Sequence, residues 1–121
     1  MGSNEISTLA NRLRVLGDPT RLAIFDLLMQ GVQCNCELGD KLGLPMNLIS
    51  HHLKVLREAG LVDAERDAVD ARWVYYSISK PALYALREHL YAFLDPRRIQ
   101  PRLPTCGPQL ISAETVRVSR R

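Results

Sequence analysis

Nothing in this 121-residue chain approaches the run of about 18 apolar residues that spans a bilayer, and its first residues carry no apolar leader. A cytoplasmic protein without a membrane partner is expected. Cysteine is scarce too: three thiols, an odd number, do not make the disulfide framework of a small exported domain. In a reducing compartment, close-spaced cysteines such as Cys34 and Cys36 more often bind metal or react than cross-link. The chain also lacks a positive surplus where a nucleic-acid-binding body would show one. Residues 95–121 carry six arginines against Asp95 and Glu114, whereas residues 1–94 carry ten basic and eleven acidic side chains. The pI near 9.0 is thus a property of the C-terminal part. If the body binds DNA, its positive charge must gather on one face.

What is present reads as helices first. Ile6, Leu9, Ala10, Leu13 and Leu16 recur at helical spacing, and Gly17 is expected to stop that helix in the left-handed cap conformation. Asp18-Pro19 opens a second helix, apolar nearly all round to Gln30 and therefore central to the core. A short helix from about Cys36 to Leu42 and a longer one from Met46 to Ala59 flank Gly43-Leu44-Pro45, a helix-turn-helix arrangement. Trp73-Val74-Tyr75-Tyr76-Ser77-Ile78, aromatic and β-branched, pairs with Leu61 to Arg66 as a β-hairpin. Pro81 begins a last amphipathic helix. The expected fold is mainly α with a small hairpin, in the order α-α-α-α-β-β-α: a winged helix-turn-helix over residues 1–94. Residues 95–121, punctuated by Pro96, Pro101, Pro104 and Pro108, form an extended Pro/Arg-rich tail.

Three segments carry a resemblance to the ArsR/SmtB family of metal-sensing transcriptional repressors. They are Leu16-Gly17-Asp18-Pro19-Thr20-Arg21-Leu22, the run from Ile49 to Val62 beginning Ile49-Ser50-His51-His52-Leu53, and Arg72-Trp73-Val74-Tyr75-Tyr76. The likeness extends over roughly Leu9 to Leu94. It implies a homodimer, paired through the first and last helices, that binds double-stranded operator DNA and releases it when metal binds. The last helix has more apolar surface than one winged helix covers, which agrees with a dimer. Two departures stand out: a hairpin connection about three residues longer than usual, without Gly at its tip, and Pro45 where Ser or Thr commonly caps the recognition helix.

If Ile49, Leu53 and Leu56 are buried, Asn47, Ser50, His51 and Lys54 face the major groove. Asn pairs bidentately with adenine, and Ser and His offer single hydrogen bonds to base edges. Lys54 and Arg57 suit phosphates, and Arg66 and Arg72, flanking the hairpin loop, suit the backbone or minor groove. His52 is expected to pack against a neighbouring helix instead.

Cys34 and Cys36, followed by Glu37-Leu38, stand where the family's arsenic sensors carry Cys-x-Cys. Gly39 occupies the position at which those sensors often place a third cysteine. Thiolates select soft ions, and trivalent arsenic shares that preference, bonding up to three sulfurs in a pyramid. Residues i and i+2 do not face each other on a regular helix, so one arsenic is expected to need a helix start that is frayed or becomes so on binding. The helix N-terminus is expected to lower the thiol pKa. Cys106 is a candidate third ligand, from its own chain or a partner. The remaining alternatives are a two-sulfur site suited to a methylated arsenical, another thiophilic ion such as antimonite, cadmium or lead, and a redox switch. Two buried, inert cysteines remain the plain alternative. A small thiol oxidoreductase is remote, because neither Cys-x-x-Cys nor a strand before Cys34 is evident. No organic cofactor is expected. A zinc or nickel site on the last helix is disfavoured, since it offers only Glu88 and His89.

Overall fold

The computed structural model describes residues 2–107. Its elements are α1 (Ser3–Leu16), α2 (Pro19–Met29), β1 (Gln33–Cys34), α3 (Asn35–Leu42), α4 (Met46–Glu58), β2 (Val62–Arg66), β3 (Val74–Ile78) and α5 (Lys80–Phe93), followed by a 3-10 turn at Pro96–Arg98. One element departs from the expected order. Gln33–Cys34 forms a third strand, and the sheet runs β1-β3-β2, antiparallel throughout. A two-residue strand has no periodicity to reveal it; only its partner β3 defines it.

The core gathers where α2, α3 and α4 meet. Ile24, Leu38, Ile49, Leu53 and Leu56 are completely buried, with Leu28, Leu61 and Leu86 nearly so. The near-uniform apolarity of α2 follows from its place at that junction. Spacing of three and four along α4 sends Ile49, His52, Leu53 and Leu56 inward, as expected for His52.

The helix ends explain how the chain turns between elements. Gly43 adopts φ 64° and ψ 34°, the left-handed cap of α3, which lets the Leu44 N–H donate to the Gly39 carbonyl at 3.1 Å. This tight reversal brings α4 against α3. Gly39 makes the contact close: a Cβ there would stand 3.3 Å from the Leu44 carbonyl and against Met46 and Ile49. Gly17, in contrast, ends α1 in the right-handed region (φ −76°), not the left-handed one expected. Asp18 takes over immediately as the N-cap of α2, so no reversal is needed there.

β2 and β3 pair from Val62↔Ile78 to Arg66↔Val74, and the Asp67 N–H donates to the Trp73 carbonyl at the base of the loop. The hairpin follows α4 directly, completing a winged helix-turn-helix. Beyond α5 the chain is not extended throughout, as expected, but begins with the Pro96–Arg98 turn. The rest of the tail, residues 108–121 with Arg117, Arg120 and Arg121, lies outside the described residues. Among those described, no helix is long and apolar enough to cross a membrane.

Candidate functional site

Cys34 ends β1 and is the N-cap of α3, with extended backbone (φ −84°, ψ 164°), and Cys36 lies in the first helical turn. Their sulfurs are 3.0 Å apart. The expectation of a frayed helix start is therefore corrected. The i, i+2 rule holds between two helical residues, and Cys34 is not one, so its side chain turns to meet Cys36 with α3 intact. Cys34 is buried, Cys36 partly so.

The expected lowering of thiol pKa is also reversed for Cys34. Burial pushes its thiol above the usual value, and the hydrogen bond with Cys36 adds to this. The start of α3 is held from the other side. Glu37 Oε1 accepts the Cys34 N–H at 2.8 Å, which keeps the Glu37 carboxyl below its ordinary range.

β1 ties the pair to the rest of the molecule. Cys34 lies opposite Tyr75 and Gln33 opposite Tyr76 on β3. The Tyr75 phenol is pushed up in pKa by burial and by the negative field of Asp67, Cys34, Glu37 and Cys36. Gln33, buried, donates to the Leu27 carbonyl at 2.8 Å and accepts from Lys41 Nζ at 2.9 Å. One dipeptide thus touches α2, α3 and the wing. Sequence reasoning missed Gln33 and Tyr75, because their roles come from a strand pairing that two residues do not announce.

Cys106 is exposed, and its carbonyl accepts a hydrogen bond from Arg102. Among the described residues no third Cys, His, Asp or Glu joins Cys34 and Cys36 in a group of metal-site proportions. The structure does not bring Cys106 to the pair.

The second part of the site is the exposed face of α4. Asn47, Ser50, His51, Lys54 and Arg57 are all exposed, and His52 is turned inward. Pro45, at the N-cap, supplies no side-chain acceptor. In the wing, Arg66 Nη1 donates to the Ala71 carbonyl at 2.8 Å, and Arg72 forms a two-point pair with Asp70. Both arginines are engaged within their own loop, which the sequence did not reveal. Val69 at the tip is 96% exposed.

Arg21 was also missed. Its Nε donates to the Val15 carbonyl at 2.7 Å and its Nη1 lies 3.2 Å from His52 Nδ1. An arginine has only donors, so His52 Nδ1 accepts and the imidazole is neutral. The end of α1, the start of α2 and the inner face of α4 are joined through this one side chain.

Residues 18–64 match the family described as bacterial regulatory protein, arsR family. An uncharacterized HTH-type transcriptional regulator of Methanocaldococcus jannaschii, MJ1325, is 41% identical over 70 residues, 57% of this chain and 75% of that protein. The arsenical resistance operon repressor of Staphylococcus xylosus is 39% identical over 67 residues, 55% of this chain and 62% of the repressor. Among solved structures, a possible transcriptional regulator for arsenical resistance superposes with a TM-score of 0.61 at 35% identity, over 69% of this chain and 83% of that one.

Proposed function

The chain belongs to the ArsR/SmtB family of transcriptional regulators, which are not enzymes, and from that premise we propose a dimeric, operator-binding repressor. Cys34 and Cys36 take up trivalent arsenic or a related thiophilic species in the cytoplasm, and the DNA is then released. The observation that carries this reading is the 3.0 Å sulfur pair at the start of the helix preceding α4.

The donor set fits the ligand. Two thiols alone suit a soft centre, and hard ions prefer oxygen. Metal–sulfur bonds of about 2.3 Å at a tetrahedral angle need sulfurs about 3.8 Å apart, and at a right angle about 3.3 Å. The observed 3.0 Å leaves both sulfurs within reach of one pyramidal centre. Antimonite shares that geometry and is the first competitor to test; cadmium and lead follow. Cys106 enters as a ligand only if the tail or a partner carries it to the pair.

Release follows from position. Cys34 belongs to β1 as well as to the start of α3, and α3 packs on α4 through Gly39. Adjusting the sulfurs around a ligand therefore loads the wing and the helix-turn-helix together. A coupling of about 3 kcal/mol changes DNA affinity about a hundredfold. On the DNA side, Asn47, Ser50 and His51 read bases while Lys54 and Arg57 hold phosphates. With Arg66 and Arg72 engaged inside the loop, α4 carries more of the affinity than the wing. Dimerisation is supported by apolar side chains that one chain leaves in water: Ile6 and Leu13 on α1, and Tyr84, Tyr91 and Leu94 along and just past α5, the last three 60–73% exposed.

Operator binding by the wild type and by Cys34→Ser, Cys36→Ser and Cys106→Ser, with and without arsenite, tests the proposal. Arsenite is expected to weaken wild-type binding about a hundredfold and to leave Cys34→Ser and Cys36→Ser bound. An operator complex that ignores arsenite in the wild type removes the sensor reading. A full response by Cys106→Ser assigns the site to two sulfurs.

A further inference from the structure

We propose that Tyr75 is the third member of the sensor, donating its phenolic hydrogen to the oxygen that a two-sulfur arsenic centre retains. This rests on the dithiol reading above and names the residue that sets which arsenic species the pair prefers.

The register places Tyr75 there. Cys34 and Tyr75 are direct partners in the β1–β3 ladder. Directly opposed residues of an antiparallel pair project to the same face, with Cβ atoms about 5 Å apart. Gln33 and Tyr76 occupy the other face, where both are buried. Cys34 is only 3% exposed although it sits on an edge strand, whereas its partner Tyr75 is 36% exposed and open to water. Its hydroxyl makes no hydrogen bond to any described residue, so its hydrogen is free to be donated.

The chemistry of a two-thiol site calls for such a donor. Arsenous acid, As(OH)3, exchanges two of its hydroxyls for the sulfurs of Cys34 and Cys36. Each As–S bond forms as an As–O bond breaks, each thiol proton leaves with a hydroxyl as water, and no electron is transferred. One As–OH remains. With Gly39 in place of a third thiol, and no third donor grouped with the pair among the described residues, that hydroxyl is the part left to be recognised. Phenylarsonous acid, PhAs(OH)2, loses both hydroxyls in the same exchange and retains only its phenyl group. The two compounds therefore differ at the atom that Tyr75 contacts.

The test is titration of the reduced full-length protein with arsenite and with phenylarsonous acid, followed by thiolate–arsenic absorbance, for wild type, Tyr75→Phe and Cys34→Ser. Thermal melts confirm folding. Tyr75→Phe keeps the ring and removes only the donor. It is expected to weaken arsenite about tenfold, the size of one hydrogen bond, and phenylarsonous acid less than twofold. An unchanged ratio of the two affinities, whether both fall together or neither falls, overturns the role of Tyr75 and leaves the dithiol site standing. Wild type binding neither compound, or Cys34→Ser binding both like wild type, overturns the dithiol reading and this inference with it.

Discussion

Two helix starts in this molecule are built from opposite materials. At α2, Asp18 accepts hydrogen bonds from the Thr20 and Arg21 N–H groups, Pro19 sets the first turn, and Arg21 reaches on to the Val15 carbonyl and His52. At α3, the cap residue is Cys34, whose sulfur is a weak acceptor, and no side-chain oxygen closes the turn from the cap position. Glu37 reaches back to the Cys34 N–H, and the Cys34 sulfur accepts the Glu37 N–H in return. One start locks three helices together. The other is closed by a thiol and one carboxylate, and that is where the cysteines stand. A ligand moves an equilibrium only by favouring one arrangement over another, so a sensor belongs on an element that costs little to rearrange.

The contrast breaks first at Arg21. Arg21→Met leaves the Val15 carbonyl and His52 without their donor, and the melting temperature is expected to fall by about 10 °C. Asp18→Ala removes the cap of α2 and is expected to cost about 5 °C. Thermal melts of the two variants beside wild type decide it. If both melt like wild type, the start of α2 is not the lock described.

Glu37→Ala sharpens the other side. The melting temperature is expected to drop by only about 2 °C, because the β1–β3 pairing and the Gln33 contacts still hold the start of α3. Operator affinity without arsenite is expected to fall severalfold, since loosening that turn does part of what the ligand does. Melting and DNA titration of one preparation measure both. A loss of stability as large as that of Asp18→Ala would mean the two starts are equally firm.

The same contrast shows what was legible in the chain. Asp18-Pro19 announces a capped helix from local rules alone, and the three-and-four spacing of α4 correctly sends His52 inward. Those signals depend on neighbours in sequence. Arg21 reads as a surface charge until α1 and α4 are folded against it. Cys34 and Cys36 were legible as a pair, but their geometry was not. Helix spacing does not apply to Cys34, which stands just before α3, and the strand that captures it is visible only from β3. Tyr75 and Gln33 were hidden for the same reason. Contacts made through long-range pairing leave no local trace.

The smallest expected effect concerns protons, and it separates the two starts by pH. Burial holds the His52 pKa below 6.5, with Arg21 and His51 adding to this and Asp18 opposing it. Folded His52 therefore stays neutral where the unfolded side chain has already taken a proton. Its contribution is complete above pH 6.5 and declines as the pH falls below that value. Asp18 and Glu37 act lower. Backbone hydrogen bonds depress both carboxyls, so their stabilisation is full above the ordinary values of 3.8 and 4.5 and is lost as the pH falls through the folded values. Between pH 7.5 and 5.5 only the α2 side, through His52, is expected to respond. Wild type should lose about 2 °C over that interval, and His52→Gln, which does not titrate, should lose less. Equal slopes would show that His52 takes no part. A slope that instead disappears in Glu37→Gln would move the proton-sensitive contact to the start of α3 and reverse the comparison.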